Sequence, residues 1–270
     1  MTSSDVPAGA GASYVGGPET GRPILLLHGA GLSWRMWLPQ VRDLEADYRV
    51  VAPDLPAHGR RASDSFSLED GVAVAAESLA DAGVTESALV VGQSLGGYVG
   101  IELAARYPDR VAGLVPSGAS ANYRGWLAAK TALAGLVARL GAAVAPLERR
   151  FRQHVRSGLR SKPIQNVVVD AILDGGVSAA GYGQGAMAIA GIDSHATLRA
   201  YDGPVLLLNG ADDRLNPPAA DRLAPTLPDA RTRRIADAGH TCNLDRPDAY
   251  TTAIREFATD VVWPTAAGAE

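Results

Sequence analysis

A serine enclosed by glycines, Gly92-Gln93-Ser94-Leu95-Gly96-Gly97, is the segment of this chain best suited to covalent chemistry. It fits the pattern G-x-S-x-G, and its setting gives the pattern meaning: an apolar run at 88–91 precedes it and a helix-like stretch at 95–107 follows. A strand that turns directly into a helix holds the intervening serine in a sharp, strained turn. Side chains on the flanking positions would clash there, so glycine is a requirement of the geometry. The helix start then aims unpaired N–H groups and the positive end of its dipole at charge building up beside Ser94. The N–H of Leu95, next after the serine, is one candidate donor to an oxyanion. The plain alternative is that Ser94 only caps the helix, but a cap does not call for glycine on both sides.

A hydroxyl is a poor nucleophile at neutral pH and needs a base. Of the five histidines, His28, His58, His154, His195 and His240, the last follows a predicted strand, precedes the final helix and sits in Ala238-Gly239-His240. A short loop there returns it to the C-terminal edge of a parallel sheet, where open α/β sheets place their chemistry. A carboxylate must orient the imidazole and stabilise its cation. Asp212 and Asp213 both follow the apolar run at 205–208, and the residues alone leave both open. Hydroxyl, imidazole and carboxylate together predict acyl transfer.

The elements that must position these groups can be read from periodicity. Short runs at 24–27, 49–52, 88–91, 111–115, 205–208 and 233–236, most of them apolar, read as strands, and most are separated by helical spacing. Ser67 with Asp70 opens one of the helices in a near capping box. Residues 1–20 read as a weak edge hairpin or a frayed end. This order predicts an α/β fold: a mostly parallel central sheet flanked by helices. Between 119 and 200 the strands stop and helical spacing continues, so that stretch reads as a helical lid inserted into a core domain of residues 1–118 and 201–270. The lid holds ten Lys/Arg against four Asp/Glu, net +6, which leaves −10 for the rest of a chain of net −4.

Composition removes other classes. A net charge of −4 argues against nucleic-acid binding by phosphate neutralisation. One cysteine, Cys242, excludes an internal disulfide framework or a multi-thiolate zinc site and reads as a small buried filler. No apolar run is long enough to span a bilayer, and residues 1–20 have neither a basic start nor an apolar core, so a cytoplasmic protein without a membrane partner is expected. No metal or organic cofactor is expected.

Four motifs resemble the α/β-hydrolases: the Ser94 elbow, His28-Gly29-Ala30-Gly31, Asp54-Leu55-Pro56-Ala57-His58-Gly59, and the late pair Gly210-Ala211-Asp212-Asp213 with Gly239-His240. The resemblance covers nearly all of the chain outside the lid and keeps the family's order of nucleophile, acid and base. It implies that Asp213, third after the glycine, is the acid, that Ala30 gives the second oxyanion N–H, and that His28 and His58 are structural. A serine nucleophile sets the chain apart from relatives that use a carboxylate, such as the haloalkane dehalogenases and epoxide hydrolases. It also implies a hydrolase of a small-to-medium, largely apolar ester or lactone. C–C bond hydrolysis or a cofactor-free lyase or cyclase step with the same residues is the alternative, and a non-catalytic binder on this scaffold is a third. A lid of this kind looks like the wall that selects substrate. Trp126, just past the strand edge, is the wall candidate among Tyr123, Tyr182 and Met187. The basic run Arg149, Arg150, Arg152, Arg156, Arg160 and Lys162 reads either as a solvated helix face or as a dock for an anionic substrate or carrier.

Overall fold

The computed structural model describes residues 11–264. Chain order runs β1 (Ser13–Gly16), β2 (Arg22–Leu27), α1 (Leu38–Leu44), β3 (Tyr48–Pro53), α2 (Leu68–Asp81), β4 (Ala88–Gln93), α3 (Leu95–Arg106) and β5 (Val111–Ser117). Five helices follow without a strand: α4 (Gly125–Ala142), α5 (Ala145–Arg160), α6 (Asn166–Asp174), α7 (Ala179–Ile189) and α8 (Ser194–Leu198). The chain then returns through β6 (Val205–Gly210), α9 (Asn216–Leu223), β7 (Ala230–Ile235), α10 (Cys242–Asp245) and α11 (Pro247–Phe257). The seven strands form one sheet in the order β1-β3-β2-β4-β5-β6-β7. Among the described residues only β1 pairs antiparallel, and every other strand pairing is parallel. The α/β expectation therefore holds. Among the described residues, no single helix is long and apolar enough to cross a membrane.

The wholly apolar strands are explained by burial on both faces. Ile24, Leu26, Val50, Leu89, Val91 and Leu208 pack against α1, α11 and the turn Trp34–Trp37. Their neighbours Leu25, Leu27, Val51, Val90 and Leu207 pack against α2 and α3 on the other side. Helix ends follow local chemistry. Ser67 caps α2 by accepting from the Asp70 N–H at 3.0 Å. Pro39 enters at the start of α1, where a missing N–H costs nothing, and the turn before it is 3₁₀.

His28 and His58 sit in the interior with ring centroids 5.0 Å apart. His28 Nδ1 donates to the Gly29 carbonyl, and its Nε2 accepts from the Leu55 N–H at 2.9 Å, so the ring is neutral and ties two loops together. Burial, only partly offset by the Gly29 carbonyl, holds His28 down at about 4. Burial and the neighbouring His28 hold His58 at about 3. In the unfolded chain both rings take up protons below their ordinary value of 6.5. The unfolded state therefore binds more protons as pH falls, and stability present above that value is lost on the way down to about 4. At pH 5 the loss is about 2 kcal/mol per ring. The urea midpoint is expected to drop clearly between pH 7.5 and pH 5; an unchanged midpoint would refute this role for the pair.

Candidate active site

Ser94 occupies the junction of β4 and α3 with φ 52° and ψ −114°, a conformation that side chains rarely adopt. Neighbouring backbone holds it there. Its N–H donates to the Ser117 carbonyl at 2.8 Å, and its own carbonyl accepts from the Gly97 N–H at 2.9 Å. The glycines are steric necessities: a Cβ on Gly92 would lie 2.2 Å from the Gly96 carbonyl oxygen, and one on Gly96 would lie 2.1 Å from that of Leu27. Those obstacles are backbone and cannot swing away. Gly96→Ala is expected to lose about 3 kcal/mol or more, the upper end of overpacking costs. A wild-type thermal midpoint in that variant would contradict the close approach of β2 and α3.

The structure brings Ser94, His240 and Asp213 into one line. His240 Nε2 lies 3.0 Å from Ser94 Oγ, and His240 Nδ1 lies 2.9 Å from Asp213 Oδ2. Asp213 is buried, whereas Asp212 beside it is exposed. Burial raises the Asp213 pKa, but hydrogen bonds from His240, the Asn216 amide and the Leu215 N–H outweigh it and hold the carboxyl well below the usual carboxylate range. The group stays ionised and accepts only.

Two supporting residues were not singled out from the sequence. Asn216, at the start of α9, donates to Asp213 Oδ2 at 2.8 Å, and its Oδ1 accepts from the N–H groups of Ser120 and Ala121. It thus fixes the acid to the segment that leaves β5. Gln93 donates to the His240 carbonyl at 2.8 Å. An Asn three residues after the acid and a Gln beside the serine are visible signals, but only the fold shows what they reach. A third tie comes from the turn after α5: Lys162 Nζ is 2.5 Å from Asp245 and 2.8 Å from Thr241 Oγ1, and Asp245 accepts from the Gly239 N–H. Both flanks of His240 are therefore braced.

Ser94, His240, Ala30 and Leu95 line one cavity of about 340 Å³. Leu95 opens α3, so its N–H has no partner within the helix. Neither that N–H nor the Ala30 N–H has a protein acceptor among the described residues. The rest of the wall comes from Tyr123 and Leu215, from Leu127, Lys130, Thr131 and Ala134 on α4, and from Tyr182, Gly185, Ala186 and Ile189 on α7. Trp126 is not part of it, which corrects the expectation of a wall residue. The phase of α4 turns Leu127 inward and leaves Trp126 79% exposed. A second cavity, of about 460 Å³, meets the first at Ala30 and Tyr182 and is lined by Phe151, His154, Val155 and Leu159 of α5. His195 is bonded to the Ser120 carbonyl and does not line the Ser94 cavity. Cys242 is buried, and burial pushes its thiol up to about 11, so it is inert filler.

Such a strand-turn-helix elbow, with His and Asp delivered from later loops, defines a class of fold. Residues 24–253 match the model of the alpha/beta hydrolase family, and the chain belongs to that family. Among curated relatives, it is 34% identical over 239 residues to a pimeloyl-[acyl-carrier protein] methyl ester esterase of Aromatoleum aromaticum, covering 83% of this chain and 93% of that protein. It is 29% identical to one of Neisseria meningitidis, covering 90% and 96%. Among solved structures, a thermophilic esterase from Thermogutta terrifontis superposes with TM-score 0.73 at 29% identity, covering 91% of this chain and 92% of the other. The enol-lactonase of Burkholderia xenovorans gives 0.71 at 25%, covering 91% and 95%.

Proposed function

We propose that this chain is a serine hydrolase of carboxylic esters or lactones, working through an acyl-enzyme on Ser94. His240 Nε2 takes the hydroxyl proton as Ser94 Oγ bonds to the carbonyl carbon. The carbonyl oxygen becomes an oxyanion held by the Ala30 and Leu95 N–H groups, each such donor being worth roughly 3–4 kcal/mol in the transition state. His240 then gives its proton to the leaving alkoxide, and the acyl–Ser94 ester remains. Water, deprotonated by the same imidazole, attacks that ester, and the acid leaves as Ser94 regains its proton. Asp213 keeps Nδ1 protonated and stabilises the imidazolium throughout. The observation that carries this reading is the unbroken hydrogen-bond line Ser94–His240–Asp213. The names of the relatives, esterases and an enol-lactonase, support the same chemistry.

Helices α4–α8 act in this reading as a lid. Two cavities meeting at Ala30 and Tyr182 suit a small-to-medium, largely apolar substrate with an arm on each side of the reacting carbonyl. A carrier-linked ester is a second reading, favoured by the names of the curated relatives and by a groove of about 380 Å³ lined by Arg149, Arg152 and Arg156. A panel of esters, lactones, thioesters and vinylogous diketones tests the class. Turnover of simple esters or lactones is expected; turnover confined to the diketones would replace ester cleavage by C–C bond hydrolysis, and none at all would favour a binder.

A further inference from the structure

We propose that the outer face of α4 and its turn into α5 lays this protein on an anionic lipid surface. The helix is polarised the wrong way for water. Its inner side packs small residues on α7, so closely that a Cβ on Gly135 would lie 2.7 Å from the Gly183 carbonyl oxygen. Its large apolar residues point outward: Trp126 is 79% exposed, Leu133 63%, Val137 62% and Leu140 63%. Their spacings of seven, four and three residues stack them into one stripe along the axis. Val144 and Leu147 extend the exposure past the break between α4 and α5, where the chain bends by 117°. A continuous apolar ridge of this length in contact with water marks an interaction surface.

The charges choose the occupant. Over residues 125–147 there is no Asp or Glu, and Glu148, the next acid, is paired with Arg152. The exposed cations Lys130, Arg139, Arg149 and Arg150 have no carboxylate partner among the described residues. Two copies meeting ridge to ridge would set cation against cation with no acid to answer. An apolar stripe carrying tryptophan and rimmed by Lys and Arg matches a helix lying in the headgroup layer of an anionic bilayer. The wider charge distribution gives the same orientation: residues 119–200 carry net +6 and the remainder −10, so a negative surface attracts the lid and repels the core. Lying on a bilayer needs no spanning segment, so the lack of one does not oppose this. Leu127, Lys130, Thr131 and Ala134 of the same helix line the Ser94 cavity, so docking would set its wall beside the layer into which apolar molecules partition.

Flotation with phosphatidylcholine vesicles, with and without phosphatidylglycerol, tests this without reference to turnover. Binding to the anionic vesicles is expected to exceed that to the neutral ones by about tenfold or more. It should come with a blue shift of emission that is lost in Trp126→Phe, since Trp34 and Trp37 are already buried and Trp263 is half-buried against Tyr48. The triple variant Leu133→Ser, Val137→Ser, Leu140→Ser, and separately Arg139→Glu with Arg150→Glu, should each lose most of the binding while keeping wild-type circular dichroism and melting. Failure of the wild type to float with anionic vesicles would overturn the proposal. So would equal flotation of both variants, or a dimer in light scattering that the serine variant dissolves while vesicles go unbound. Capture of an acidic protein in the absence of any vesicle binding would do the same.

Discussion

Replacing Ser94 with alanine is expected to lower kcat on esters by about 10⁴- to 10⁶-fold while the protein stays folded. The loss is large because one oxygen is both attacking atom and acyl carrier; no neighbour replaces it. Ser117 Oγ, buried under the elbow, is bonded to Cys242 Sγ at 3.5 Å rather than to His240. The fold survives because backbone contacts to Ser117 and Gly97, not the hydroxyl, hold the turn. Ester turnover unchanged in purified Ser94→Ala would discard the acyl-enzyme, whatever the stability result.

Asp213→Asn is expected to cost about 10⁴-fold, and Asp212→Asn next to nothing. An amide in place of the Asp213 carboxylate is able to present N–H₂ to His240 Nδ1. Nδ1 then becomes the acceptor, the ring proton moves to Nε2, and Nε2 no longer accepts from Ser94. The three donors that surround the carboxylate, from Leu215 and from both the backbone and the amide of Asn216, are arranged for an anion and would in part be frustrated. Asp212 is exposed and has no such enclosure. The opposite ranking of the two variants would move the role of acid to Asp212.

Much of this was legible in the sequence because it is written in local physics. The strands at 24–27 and 88–91 are apolar on both faces, and Gly92 and Gly96 mark the turn between β4 and α3. What escaped depends on tertiary partners. β7 begins at Ala230, three residues earlier than the strand read at 233–236, because Arg231 and Thr232 look like loop until their backbone pairs with β6. Trp126 looked like a wall residue by position, but a helix turns 100° per residue, and one step decides between cavity and solvent. Asn216 and Gln93 have side chains common at surfaces; their use as braces appears only when distant loops meet. Of residues 1–20, read as an edge hairpin or frayed end, residues 1–10 lie outside the described residues, and β1 is an antiparallel edge strand paired with β3 rather than half of a hairpin.

The central claim is that the Ser94 hydroxyl, activated by His240, is the nucleophile of this chain. Peptide mapping after reaction with a fluorophosphonate tests it most directly. One phosphonyl adduct on Ser94 is expected, absent in Ser94→Ala and formed far more slowly in His240→Ala. An adduct on a different residue, or equal labelling of Ser94 without the imidazole, would contradict the account.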